Sequence, residues 1–397
     1  MKVGTFYEHQ LPRPWNPGDE LKLFQDALEQ VELADRLGID HMWEVEHHFL
    51  EEYAHSSAPE IFLAAASQRT KQIRLGHGIV LLPPAYNHPA RVAERIATLD
   101  LVSNGRVEFG TGESSAELEL GGFGIKRSEK REMWLESLGA ITRMFVEEPF
   151  QGHEGKYFSM PVRNVVPKPV QKPHPPLWVA CSRRETIHVA ARLGIGALSF
   201  AFISPEEARM WVDDYYKTLA EECEPIGYAI NPNIAIVTGF MCDRDEERAR
   251  AMGEDGLRFF SYALGHHYFF GRHEPGKTDL WQNYKTNPMT MPGMGGESQC
   301  IGTPEKIRRK MREFEEAGVD QVVFVSQAGR NKHEDICSSL ELFGREVLPE
   351  FKEREEKRAR EKAERLQPVI ECALKRKPEP KIPRHDGPTI VVAERVS

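Results

Sequence analysis

None of the six cysteines, at 181, 223, 242, 300, 337 and 372, forms a CxxC pair, so neither a zinc clamp of paired thiolates nor a secreted disulfide framework is indicated. Their scatter predicts reduced thiols. Long apolar runs are missing too: nothing approaches the roughly 18 consecutive apolar residues of a membrane helix. Met1-Lys2-Val3-Gly4-Thr5-Phe6 runs straight into a strand, with neither a signal nor a transit pattern. A cytoplasmic protein with no membrane partner is expected. Positive charge is also short, since 52 Lys+Arg against 61 Asp+Glu leave −9, the wrong sign for a nucleic-acid surface. GxGxxG after a first strand, GxxxxGK[ST], HExxH and GxSxG are all absent, which removes the Rossmann, P-loop, zinc-helix and serine-hydrolase readings.

What is present is a steady alternation of strand and helix across 397 residues, with 40% apolar and 28% charged residues as in an ordinary enzyme. Lys2–Tyr7 reads as a strand and Asp19–Leu37 as a helix stopped by Gly38. Strand Ile39–Val45, helix Pro59–Gln68, one strand over Ile73–Leu82, helix Pro89–Val102 and strand Val107–Gly112 follow. Glu113–Lys126 reads as a loop before helix Lys130–Val146. Pro149–Pro176 is a proline-rich excursion. Beyond it, strands at Leu177–Ala180, Ala197–Phe200, Asn233–Met241 and Gln321–Ser326 alternate with helices near Glu185–Leu193, Pro205–Glu222, Glu246–Leu264, Pro304–Gly318 and Glu334–Leu348. Eight strands in this rhythm favour an α/β fold of the closed (β/α)8 type, a TIM barrel, over an open sheet. The rhythm breaks at Gly265–Gly302, which contains His266-His267 and is expected to be a lid inserted in the barrel, residues 1–349. From 350 to 397 a charged helix to about Arg365 and a proline-studded tail are expected to be solvated surface.

In such a barrel the carboxyl ends of the strands meet at one mouth, where ligands bind. Phe6 ends the first strand. Glu46-His47-His48 ends the second, and two imidazoles there offer a base, a hydrogen-bond donor or a metal ligand. No metal is expected from them, because adjacent histidines lack the spacing that brings ligands together. Gly76-His77-Gly78 lies at the third end and Thr111-Gly112 at the fourth. Cys181-Ser182-Arg183 at the fifth, with the helix start at Glu185-Thr186, suits a phosphate. An organic cofactor is the better account.

These motifs in order resemble the bacterial luciferase-like family of flavin-dependent monooxygenases. The resemblance rests on Lys2–Phe6, Leu37–Asp40, Trp43 with Glu46–Phe49, Leu75–Pro83 with His88-Pro89, Ser103–Gly112, Lys130–Glu132 and Ile301–Glu305, and it spans about Met1 to Leu348. It implies a (β/α)8 barrel, reduced FMN from a separate flavin reductase, O2 activated as a flavin C4a-hydroperoxide, a small or medium apolar organic substrate and a homodimer. His47 would stabilise the oxygenated flavin, with His48 and Glu46 beside it. Gly78-Ile79 matches the place of a non-proline cis peptide under the flavin, and Ser182 with its neighbours matches the phosphate pocket. The family's arginine after the fourth strand is replaced by Glu113-Ser114 and its phosphate-loop acid by Cys181, so Arg131, Arg183 or Arg184 would take over. Two other readings stand beside this one: a deazaflavin-dependent oxidoreductase of the same superfamily, and a non-catalytic flavin-binding or interaction protein.

Overall fold

The computed structural model describes residues 1–289 and 299–378. Apolar β-branched and aromatic residues favour extended backbone, and the strands that contain them lie side by side in parallel, as buried α/β strands do. They are β1 (Lys2–Tyr7), β2 (His41–Glu44), β3 (Arg74–His77), β4 (Val80–Leu81), β5 (Val107–Gly112), β8 (Leu177–Cys181), β9 (Gly196–Ser199), β10 (Ile234–Cys242), β11 (Cys300–Gly302) and β12 (Gln321–Val325), while β6 (His153–Glu154) and β7 (Ser159–Met160) form a separate antiparallel pair. Neighbours run β12-β1-β2-β3-β5-β8-β9-β10, and β10 pairs with β12, so these eight strands close into a barrel. Registers such as Thr5↔Met42 and Thr238↔Phe324 align the carboxyl ends at one rim.

Helices follow the strands where caps and glycine stops direct: α1 (Asp19–Leu37), α2 (Pro59–Arg69), α3 (Pro89–Val102), α4 (Glu117–Gly122), α5 (Lys130–Val146), α6 (Arg184–Arg192), α7 (Pro205–Glu222), α8 (Glu246–Gly265), α9 (Leu280–Thr286), α10 (Pro304–Glu316), α11 (His333–Glu346) and α12 (Leu348–Leu374). Gly38, with φ 84°, ends α1 in the left-handed region. Thr303 caps α10 through the amide of Lys306, with Pro304 in the first turn. Inside the barrel Trp43 and Trp178 meet edge to face, with ring centres 5.3 Å apart. Each indole lies where a Cβ on Gly76 or Gly196 would stand, so bulk on one strand is matched by its absence on the next.

The structure departs from the sequence reading in four places. The single strand over Ile73–Leu82 is two, β3 and β4, parted at Gly78-Ile79, where the Gly78 amide turns to the Glu44 carbonyl. The peptide bond there is trans, and among the described residues the four cis bonds all precede proline. The loop after β5 contains the short helix α4, whose six residues are too few to show a helical period in sequence. The stretch after α8 continues as a π-helix, His266–Phe270, then α9 and β11, while residues 290–298 of the expected lid lie outside the described part. Finally, α12 does not stop near Arg365. It runs through Pro368 to Leu374, because Leu366 and Ala373 are buried and Lys362 reaches Asp320 at 2.6 Å. No described helix is long and apolar enough to cross a membrane.

Candidate active site

Beyond the carboxyl ends of β1 and β2 the chain turns His47 into a pocket of carboxylates. Its Nδ1 lies 2.8 Å from Oε1 of Glu119 on α4, and its Nε2 lies 3.6 Å from Oε2 of Glu8, just past β1. Glu119 is fixed in turn, because Oε1 also accepts the His48 amide at 2.9 Å and Oε2 the Ser114 hydroxyl. Glu8 accepts the Tyr53 hydroxyl at 2.8 Å on Oε1, while Oε2 lacks a hydrogen bond. Burial alone would strip the proton from His47, yet the charges of Glu119 and Glu8 outweigh it and raise the imidazole to about 9. Burial likewise pushes the Glu8 carboxyl up, against the pull of His47 and the Tyr53 hydrogen bond, to about 7. For Glu119 burial is overcome by His47, and its pKa falls. At neutral pH the array is an imidazolium held against the Glu119 carboxylate, with Nε2–H turned toward Glu8.

His48 faces the other way. Its Nε2 meets Oε1 of Glu46 at 3.1 Å, and Glu46 also accepts the Leu81 amide and the Asn87 side chain, each at 2.8 Å. Glu46 is thus a hub that ties β4 and the loop after it to the histidine pair. The His48 ring stacks on Tyr86, and Tyr86 lies 4.7 Å from Phe123. Phe49 closes this rim; it is 55% exposed with φ 65°, an unusual conformation for a bulky side chain.

The other residues singled out in sequence fall into two groups. Phe6, Gly78, Ile79, Thr111, Gly112 and Cys181 form the inner wall. Thr111 donates to the Trp178 carbonyl at 2.9 Å and accepts from the Trp134 indole at 3.0 Å, and the Ile79 side chain fills the space beside Gly112. Burial drives the Cys181 thiol well up, only partly offset by the nearby Arg131. The second group lies on the rim: Ser182 and Arg183 are exposed just before α6, Thr186 is in its first turn, and Arg131 pairs with Glu113 at 2.8 Å. Arg184 is taken by Asp214. Sequence reasoning missed Glu8, Tyr53 and Glu119, and it placed Ser114 at a strand end without its role of holding Glu119. Glu8 had a signal, an acid directly after an apolar strand. Glu119 had none, being 72 residues from His47 in an apparent loop.

A closed parallel barrel with a buried acid–imidazolium–acid array at its mouth defines a TIM-barrel enzyme. Residues 1–321 match the luciferase-like monooxygenases, and the chain belongs to that oxidoreductase family. It is similar to the oxygenase component of the flavin-dependent trigonelline monooxygenase of Acinetobacter baylyi, 24% identical over 344 residues, or 84% of this chain and 91% of that one. An uncharacterized protein, y4wF of Sinorhizobium fredii, is 36% identical over 171 residues, 43% of this chain and about half, 49%, of its own length. Among solved structures, monooxygenase RslO1 from Streptomyces bottropensis superposes with a TM-score of 0.72 at 26% identity, covering 88% of this chain and all (100%) of that one. An F420-dependent secondary alcohol dehydrogenase shares the fold, with a TM-score of 0.67 at 19% identity over 88% of this chain and 98% of its own.

Proposed function

We propose that the protein is the oxygenase of a two-component flavin monooxygenase, which takes reduced FMN from a separate reductase and uses O2 to oxygenate a small or medium apolar organic substrate. The observation that carries this reading is the Glu119–His47–Glu8 array, a proton donor maintained at neutral pH inside a carboxylate pocket. The residues present suit such a cofactor. Glu8 Oε2 is buried without a hydrogen bond, its approach to His47 Nε2 being 3.6 Å, as a polar group that can take a ligand is. Ser182 and the exposed Arg183 at the start of α6 offer the donors and positive field that a phosphate takes.

Bound reduced flavin supplies the two electrons by which one oxygen atom of O2 enters product and the other leaves as water. The protein's part is to hold, shield and protonate. Glu119 fixes the His47 ring through Nδ1–H, and Nε2–H, whose 3.6 Å approach to Glu8 Oε2 is too long for a hydrogen bond, is left to donate to an oxygen atom in the mouth. Glu46 orients His48 on the opposite side. Ile79, Thr111, Gly112 and Cys181 shape the wall beneath, with Gly78 and Phe6 beside them, and Arg131 and Thr186 flank the phosphate position. The aromatic rim of Phe49, Tyr86 and Phe123 excludes water and favours an apolar substrate. The trigonelline relative's designation as an oxygenase component supports a reductase partner; a second copy of this chain is the other partner we propose.

Supplied with reduced FMN by a generic flavin reductase under 18O2, the protein should place one labelled atom in an apolar substrate. Flavin oxidation that yields only hydrogen peroxide across a panel of apolar alkenes, ketones and aldehydes would count against the oxygenase reading.

A further inference from the structure

Three histidines that the array above does not use gather where α8 runs into the π-helix. The ligand atoms of His266, His267 and His273 all lie within 4.8 Å of one another. His266 Nε2 and His273 Nδ1 are 3.3 Å apart. Two imidazole nitrogens on one tetrahedral zinc ion, each at 2.0–2.1 Å, are separated by about 3.3 Å as well. Their surroundings resemble those of ligands. The far nitrogen of His273, Nε2, faces Glu51 Oε1 at 3.4 Å, the carboxylate–histidine arrangement that orients a metal-bound imidazole. Glu51 is itself fixed by the Gly276 amide at 2.7 Å and by Arg13 at 2.9 Å. Both ring nitrogens of His267 are shut off from solvent without a hydrogen bond of good geometry, although the Leu50 carbonyl is beside the ring.

We propose that His266, His267 and His273 bind one divalent ion of the zinc class, which pins the turn after α8 to the loop that follows His47-His48. Three imidazoles suit zinc, cobalt, nickel or copper and do not suit magnesium or calcium, which take oxygen ligands. The ion draws the three nitrogens together by at most about 1.5 Å to reach tetrahedral spacing. Its reach into the mouth is short. The Tyr53 ring lies between the two histidine groups, 6.0 Å from His267 and 5.7 Å from His47, and Tyr268 of the same π-helix packs 6.4 Å from His47. A single extra residue in a helix turn, as in a π-helix, is a frequent mark of such sites. The sequence reading expected no metal, and the proposal departs from it.

The test uses the full chain, stripped with a chelator, dialysed and titrated with zinc chloride against a chromogenic competitor, with magnesium chloride as control. One zinc per chain and no magnesium are expected. His267→Ala and His273→Ala should abolish the binding, and Glu51→Gln should weaken it by about 10–100-fold. No zinc uptake by the wild type overturns the proposal, which leaves a hydrogen-bonded cluster of neutral histidines. Uptake undiminished in a folded His267→Ala/His273→Ala variant places the ion elsewhere and overturns it equally. Cobalt-loaded wild type supplies a reading that needs no variant: three paramagnetically shifted imidazole N–H signals support the site, and fewer overturn it.

Discussion

At the scale of single residues the proton on His47 carries the proposed chemistry. His47 is charged because Glu119 and Glu8 outweigh the cost of burying it, and Glu119 is held ionised by His47, Ser114 and the His48 amide. Replacing His47 with alanine should leave reduced flavin bound while coupled product falls by about 10²-fold or more and peroxide rises. Undiminished coupling in that variant would remove His47 from the chemistry. The sign of the pH response follows from the same pair. A histidine raised to about 9 contributes its ion-pair stability in full below the ordinary imidazole value, roughly 6.5, and loses it as pH rises through about 9. Coupling should therefore decline on the alkaline side of about pH 9. In Glu119→Gln the decline should begin at lower pH, followed by NMR titration of the His47 ring and by product yield. Glu46, His47 and His48 were legible in sequence because they stand together after an apolar strand. Of the two carboxylates on His47, Glu8 had only its place after an apolar strand as a signal and Glu119 had none, since they reach the ring only once the barrel closes.

Elements decide what each end of the mouth can hold. The start of α6 presents Ser182, Arg183 and the first-turn amides to the rim, and Arg183 has no ion pair among the described residues, whereas Arg184 and Arg131 already have one. An unpaired guanidinium at a helix amino end is suited to a dianion. Arg183→Ala should weaken FMN by about tenfold or more, the loss of one charge-assisted contact of roughly 1.5–3 kcal/mol, and leave riboflavin nearly unchanged. Fluorescence titration with both flavins reads the difference, and equal losses would move the phosphate away from α6. Long helices such as α1, α3 and α7 have the bounds that periodicity and glycine or proline punctuation predict, and α5 those that periodicity alone predicts. The misses were local. A strand that breaks at Gly78-Ile79, a six-residue helix and a π-helix have no period that a sequence window can register, and α12 outlasts its expected end because tertiary burial of Leu366 and Ala373 overrides the proline at 368.

For the whole molecule, the eightfold alternation was readable and favoured the closed barrel that the structure has, whereas the order of the strands was not readable, since it is a property of pairing in space. The resemblance to luciferase-like monooxygenases came from motifs spread over most of the chain, and the match over residues 1–321 shows the family. What remains to be divided is cofactor, because barrels of this shape also serve F420, as the alcohol dehydrogenase with a TM-score of 0.67 does. The rim donors and the imidazolium together favour a reduced FMN that meets oxygen. The decisive measurement is an anaerobic titration of the full chain with reduced FMN and with reduced deazaflavin F420, each followed by a pulse of air in the presence of an apolar substrate. The account predicts saturable binding of reduced FMN, weaker binding of the deazaflavin, and oxygenated product only from the FMN complex. Tight binding of the deazaflavin with hydride transfer, and no oxygenated product from reduced FMN, would contradict it.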